Sequence, residues 1–145
     1  MAKKVTRKKE KTSGQKETKR LESANSFLQK TPTWKFNRTD ARHTRWNLHN
    51  NCQTQQLVED LTNFERMTWD EIMVRAKKQN HHVDVASFTK EAKDRLQDLN
   101  IFEDQLFSLR LSGKTRIYGI LQDGTFSILW YDCNHEICPS KMKHT

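Results

Sequence analysis

The C-terminal third of the chain alternates apolar and polar residues with a period of two, and this feature constrains the fold most strongly. Three runs show the alternation, at 107–111, 116–121 and 126–131. Ser112–Lys114 and Asp123–Gly124 separate these runs, and Asp-Gly is the strongest two-residue signal for a β-hairpin. The pattern predicts a three-strand antiparallel meander.

The third run of the meander is apolar on both sides. Strict alternation predicts that Phe126, Ile128 and Trp130 share one face of this strand and that Tyr131 lies on the other. Strands that are apolar on both faces are typical of sheet interiors. We therefore expect this run to be the central strand of the sheet, with a helix covering one of its faces.

The middle of the chain has helical spacing. Apolar residues recur at helical intervals over 54–66 and again over 85–99. Between these segments, Thr68–Glu71 matches a capping box, which predicts a helix that runs to about Lys78. His81 and His82 then interrupt the pattern and are predicted to lie in a loop.

The segment before these helices shows only a short alternating pattern. Trp34 and Phe36 alternate with polar residues just after Pro32, which predicts a first strand, and residues 38–53 are predicted to form a loop. The whole indicates an α+β fold in which two or three helices pack on an antiparallel sheet. Residues 27–145 are expected to form a single domain of this class.

Positive charge is concentrated at the N-terminus. Residues 1–20 carry nine Lys or Arg against two Glu, whereas the rest of the chain carries 17 against 16. Residues 1–26 contain almost nothing apolar, so we predict a disordered basic tail that binds nucleic-acid phosphates. Its candidate phosphate-binding residues are Lys3, Lys4, Arg7, Lys8 and Lys9.

Composition also indicates where the protein acts. No run approaches the roughly 18 apolar residues of a membrane span, and no secretory leader follows the basic start. The cysteines are an odd set of three in a chain too large to need disulfides, which is typical of a reducing compartment. We expect a soluble cytoplasmic protein without a membrane partner.

Arg110 and Arg116 lie on neighbouring strands of the predicted hairpin. If both side chains face the same way, they repel each other unless an anion, typically a phosphate, lies between them. Lys114 in the turn would add to such a surface. The alternative is that each arginine pairs with a nearby acid, the candidates being Glu91, Glu103 and Asp104.

Aromatic, acidic and imidazole groups follow the last predicted strand, where a rigid sheet can present them to a substrate. His135 can transfer a proton near neutral pH, and Asp132 or Glu136 can orient it or act beside it. The alternative is a turn in which Asp132 caps backbone amides and His135 is only exposed.

Cys133, His135 and Cys138 place two thiols and an imidazole within six residues. Such ligands can form part of a zinc site, but the spacing is not that of a standard zinc knuckle, and a distant His or Cys52 would have to complete it. Packed thiols without a metal are favoured, so no cofactor is predicted.

The order of a strand, helices and a three-strand meander resembles the RelE/ParE superfamily of small bacterial toxins. The similarity is carried by the Leu109-Arg110-Leu111 and Arg116-Ile117 strands and by the segment ending at Asp132. The ending Trp130-Tyr131-Asp132-x-x-His135-Glu136 is also similar to that of a group of uncharacterised bacterial proteins.

The RelE/ParE resemblance implies a metal-independent endoribonuclease that cleaves messenger RNA at the ribosome and that a cognate antitoxin-like protein binds. It implies that Arg116 holds the scissile phosphate and that Tyr131 or His135, next to Asp132, supplies the acid/base group. The alternative from the charge distribution is a non-catalytic nucleic-acid-binding or adaptor protein that uses the basic tail.

Overall fold

A five-stranded sheet lies at the centre of the computed structural model, which describes residues 27–51 and 53–139. The predicted tail, 1–26, with Lys3, Lys4, Arg7, Lys8 and Lys9, lies outside the described residues, as does Cys52. In chain order the strands are β1 Thr33–Lys35, β2 His81–Asp84, β3 Gln105–Ser112, β4 Thr115–Gln122 and β5 Thr125–Asp132.

The strand order is β1-β5-β4-β3-β2. The antiparallel β3-β4-β5 meander is confirmed, and so is the α+β class. Asp123 and Gly124 both have positive φ, as the predicted two-residue hairpin turn requires. The sheet itself is mixed rather than antiparallel, because β1 pairs with β5 in parallel. The central strand is β4 and not β5, because β2 extends the other side of the sheet beyond β3.

Three described α-helices, a π-helix and a 3₁₀ turn lie between β1 and β3 in chain order. The described α-helices are α1 Leu48–Asn51, α2 Thr54–Glu65 and α3 Lys90–Asp98. The predicted capping box is present, since the Thr68 hydroxyl accepts the Glu71 backbone N–H while the Glu71 carboxylate accepts that of Thr68. The helix that follows is a π-helix, Asp70–Arg75, and a 3₁₀ turn, Val85–Ser87, precedes α3.

Helices cover both faces of the sheet, and two apolar cores result. On one face, Leu57 and Leu61 of α2 pack with Trp69 and Ile72 against Phe107. On the opposite face, α3 packs with the loop before α1. The second core includes Phe88, Ala92, Leu96, Trp46, Tyr118 and Trp130. The prediction of a helix on one face was incomplete, and the cover on both faces explains why β5 is apolar on both sides.

A β-bulge interrupts the pairing of β4 with β5. Gly119 pairs with Ile128, whereas Tyr118 pairs with Trp130, so Leu129 is an extra residue in β5. Leu129 and Trp130 consequently both point into the second core, while Ile128 belongs to the first. The prediction that Trp130 shares a face with Phe126 was wrong, because the bulge reverses the alternation from Trp130 onward.

We expect Gly119→Ala to lower the free energy of unfolding by about 2 kcal/mol. A β-carbon at Gly119 would overlap the backbone carbonyl oxygen of Ser127, which has no flexible end that could move aside. Urea unfolding measures the change. Gly113→Asn is a control, because nothing lies within 4 Å of a β-carbon at that position and asparagine tolerates its positive φ. Equal unfolding midpoints for Gly119→Ala and the parent would contradict this account of the bulge.

A buried carboxylate ties the loop before α1 to the second core. Asp40 is 3% exposed and accepts hydrogen bonds from Arg95 Nε at 2.8 Å, Arg95 Nη2 at 2.7 Å and Trp130 Nε1 at 2.9 Å. Burial raises the pKa of this carboxyl, but the bonds from Arg95, Trp130 and the Arg42 backbone outweigh burial and lower it to about 2.

Candidate functional site

A cavity of about 270 Å³ opens on the α3 face of the sheet, beside β2, β3 and β4 and under the loop after β5. Its lining carries positive charge and imidazole groups. Its polar lining includes Lys78, His81, Arg110, Arg116, Tyr118 and His135. None of the described residues that line the cavity is Asp or Glu, so its charge selects anions.

Strand register brings these side chains together. Arg110 is the direct cross-strand partner of Arg116, and Arg116 is in turn the partner of Asp132. One row further along the sheet, His81 is the partner of Ser108, which is the partner of Tyr118. Because alternate residues of a strand share a face, both rows point to the same side of the sheet.

Arg116 is held in place by backbone oxygens rather than by an acid. Its Nη1 donates to the Gly113 carbonyl at 2.7 Å and to the Thr115 carbonyl at 3.1 Å. Burial, followed by the charge of Arg110, lowers the pKa of the Arg116 guanidinium below its ordinary value. Burial and the charge of Arg110 both disfavour the charged form of Arg116. An anion bound between the two guanidinium groups would reduce the repulsion between Arg110 and Arg116.

The predicted alternative, in which each arginine pairs with an acid, is wrong within the described part of the chain. Neither Arg110 nor Arg116 forms an ion pair there. Glu91 instead contacts His43 and Arg45. The guanidinium groups of β3 and β4 are therefore available to a bound anion.

The turn that carries His135 is fixed by Asp132. The carboxylate of Asp132 accepts the backbone N–H groups of Glu136 at 3.0 Å and Ile137 at 2.8 Å. His135 lies between Asp132 and Glu136 and has a φ of 57°, a left-handed conformation that histidine tolerates better than most residues. Arg45 binds the Glu136 side chain and adds a second attachment to this turn.

Burial, followed by the positive charge of Arg116, lowers the pKa of the His135 imidazole below its ordinary value. The ring is therefore mainly neutral at neutral pH. A neutral imidazole beside bound phosphate is a proton acceptor.

Two residues that sequence placed in the catalytic set do not line the cavity. Tyr131 pairs with Ile117 and belongs to the core on the opposite face, because the bulge changes the phase of β5. Asp132 is on the Arg116 face but is fully buried, with both carboxylate oxygens accepting backbone N–H groups. We therefore assign Tyr131 to packing and Asp132 to the turn, as in the capping alternative.

His81 and Lys78 line the cavity although no sequence pattern predicted them, whereas Lys114, which was predicted to add to this surface, does not line it. His81 was predicted to lie in a loop, but it begins β2 and lines the cavity. Asn80 joins this segment to β3, since its Oδ1 accepts the Arg110 backbone N–H at 2.9 Å. β2 is only four residues long, too short for a periodic signal. Lys114 is exposed in the β3–β4 turn and is not among the lining residues.

The described residues contain no group of three or more His, Cys, Asp or Glu that could hold a metal ion. Cys133 and Cys138 form no disulfide. The Cys138 thiol contacts the Ser87 carbonyl at 3.6 Å, and burial raises its pKa.

Within 27–51 and 53–139, no helix is long and apolar enough to cross a bilayer. The resemblance to RelE/ParE toxins stays a prediction. No family model, no curated protein and no solved structure matches the chain.

Proposed function

We propose that the protein is a metal-independent endoribonuclease of RelE type. One observation carries the proposal: Arg110, Arg116 and His135 line the same cavity, and none of the described lining residues carries a carboxylate. Two guanidinium groups bind a phosphodiester through charge-assisted hydrogen bonds, and a neutral imidazole beside them can accept a proton.

RNA supplies its own nucleophile for this reaction. His135 takes the proton of the ribose 2′-hydroxyl, and the 2′-oxygen forms a bond to phosphorus as the bond from phosphorus to the 5′-oxygen breaks. A proton donor protonates the departing 5′-oxygen, so the products are a 2′,3′-cyclic phosphate and a 5′-hydroxyl, and no oxidant or metal ion takes part. Arg110 and Arg116 stabilise the additional negative charge that develops on the phosphoryl oxygens.

The resemblance stated above leads us to propose ribosome-bound messenger RNA as the substrate and an antitoxin-like protein as a cytoplasmic partner. The basic segment 1–26 would add affinity for RNA that does not depend on sequence. That contribution falls as salt is raised, because binding to phosphates releases counterions.

Purified full-length protein should cut end-labelled RNA, free or bound to ribosomes, in the presence of EDTA. We expect fragments that end in a 2′,3′-cyclic phosphate, and we expect no cut at a position where 2′-deoxyribose replaces ribose. Mass spectrometry of the fragments identifies both ends. RNA that stays intact in both forms while the protein binds it would refute the endoribonuclease proposal.

A second candidate function is nucleic-acid binding without cleavage. The observation that favours it is that Tyr131 and Asp132, both expected to act in catalysis, have structural roles instead. In that case the arginines would only hold a phosphate. Steep salt dependence of RNA binding together with intact RNA in the experiment above would favour this function over cleavage.

A further inference from the structure

A second imidazole lies at the same cavity as His135. His81 begins β2, the edge strand, and pairs directly with Ser108 of β3. Arg110 follows Ser108 by two residues and therefore projects on the same face, about 7 Å further along the strand. His81 thus lies one row from the two arginines on the same face of the sheet, and all three line the cavity.

A hydrogen bond sets the orientation of the His81 ring. Its Nδ1 lies 3.1 Å from the backbone carbonyl oxygen of His82. Because a carbonyl oxygen only accepts, Nδ1 carries the proton in this bond, and Nε2 is the nitrogen that gains or loses one. Protonation of Nε2 leaves the bond intact, so the ring keeps its position in both charge states.

The other groups that line the cavity suit proton donation less well. Tyr118 is 1% exposed, and burial raises the pKa of its hydroxyl, which is hydrogen-bonded to Ser108. An acid is most effective when its pKa is near the operating pH, which favours an imidazole.

Resting on the proposed endoribonuclease function, we propose that His81 is a catalytic residue and acts as the general acid. Its Nε2–H donates the proton that the 5′-oxygen takes up as the bond to phosphorus breaks. His135 gains the proton of the 2′-hydroxyl in the same step, so charge and atoms balance within one turnover. Water later returns both rings to their starting states.

Several charged or titratable groups surround the two rings and shape the pH dependence. Those that face them from the neighbouring elements are Lys78, Arg110, Arg116, Tyr118, Asp132 and Cys138. Among them, the positive charge of Arg116 lowers the pKa of the His135 imidazole, in addition to the larger effect of burial. We expect a bell-shaped pH–rate profile, with His135 giving the acid limb and His81 the alkaline limb.

The experiment compares single-turnover cleavage by full-length wild type, His81→Gln and His135→Gln from pH 5 to pH 9. His81→Gln should slow cleavage about 100-fold and remove the alkaline limb.

A second substrate carries sulfur in place of the 5′-bridging oxygen at the linkage that wild type cuts. A thiolate leaves without a proton because thiols are far more acidic than alcohols. With this substrate, the cleavage rate of His81→Gln should come within about tenfold of the wild-type rate, whereas His135→Gln should stay slow.

His82→Gln is the matched control, because the adjacent imidazole packs edge-on against Phe107, 5.0 Å away, on the other face of the sheet. It should change the rate less than about threefold and keep both limbs. This inference alone would be overturned if His81→Gln cut RNA at the wild-type rate with an unchanged pH–rate profile. It would also be overturned if the sulfur substrate did not restore the cleavage rate of His81→Gln. Failure of wild type to cut either substrate would overturn the proposed function and this inference together.

Discussion

Arg116→Gln should slow RNA cleavage on the order of 1,000-fold, the upper range for loss of a donor that stabilises developing negative charge. Arg116 lies between Arg110 and Asp132 in its cross-strand row, and its guanidinium is oriented by the carbonyls of Gly113 and Thr115 before any ligand binds. Single-turnover rates at saturating protein measure the chemical step. Arg116→Lys should recover only a small part of the rate, because an ammonium lacks the planar fork of guanidinium.

Arg66→Gln is the matched control for charge. Arg66 is exposed at the end of α2, on the opposite face of the sheet, so this variant should stay within about threefold of wild type. Thermal unfolding of each variant shows whether loss of the bonds to Gly113 and Thr115 loosens the hairpin. A folded Arg116→Gln protein that cuts RNA at the wild-type rate would exclude Arg116 from the reaction.

Asp40→Ala should lower the free energy of unfolding by about 3 kcal/mol, the usual cost of removing one partner from a buried ion pair. The substitution leaves the fully buried Trp130 Nε1–H without its acceptor and removes both bonds from Arg95. Arg95 is 23% exposed, so water solvates part of its charge and keeps the cost at the lower end of the range. Urea unfolding measures the loss.

Asp94→Ala is the control for Asp40→Ala. Asp94 is exposed on α3 and forms an ion pair with Lys90, one turn away, so its loss should cost less than about 0.5 kcal/mol. The double variant Asp40→Ala with Arg95→Leu should cost less than the two single changes together, because the second change removes the unpaired charge. Equal stability of Asp40→Ala and Asp94→Ala would contradict the role given to Asp40.

The parts of the fold that depend on neighbouring residues were predictable from sequence. The Asp123–Gly124 hairpin and the capping box at Thr68 are signals within a few residues, and α2 follows a strong apolar period. The parallel pairing of β1 with β5 was not predictable in this way. Thr33 pairs with Thr125, and no local pattern records a partner so distant in sequence.

The candidate site was predictable only in part, for a specific reason. Arg110 and Arg116 were placed on facing strands because the intervening turn is short, and the structure pairs them directly. Tyr131 was misplaced because alternation was extended through a bulge that only packing around Gly119 reveals. His81 was missed because its strand is defined by pairing with β3 and not by its own sequence.

The parallel contact between β1 and β5 sets an order of events during translation. Trp34 packs against Phe126, with ring centroids 6.0 Å apart, although nearly the whole domain is synthesised between them. Trp34 also contacts Phe64 and Trp69, which leave the ribosome well before β5. The face of the indole that meets Phe126 has no partner until β5 has left the exit tunnel. We conclude that this edge of the sheet closes after β5 is made.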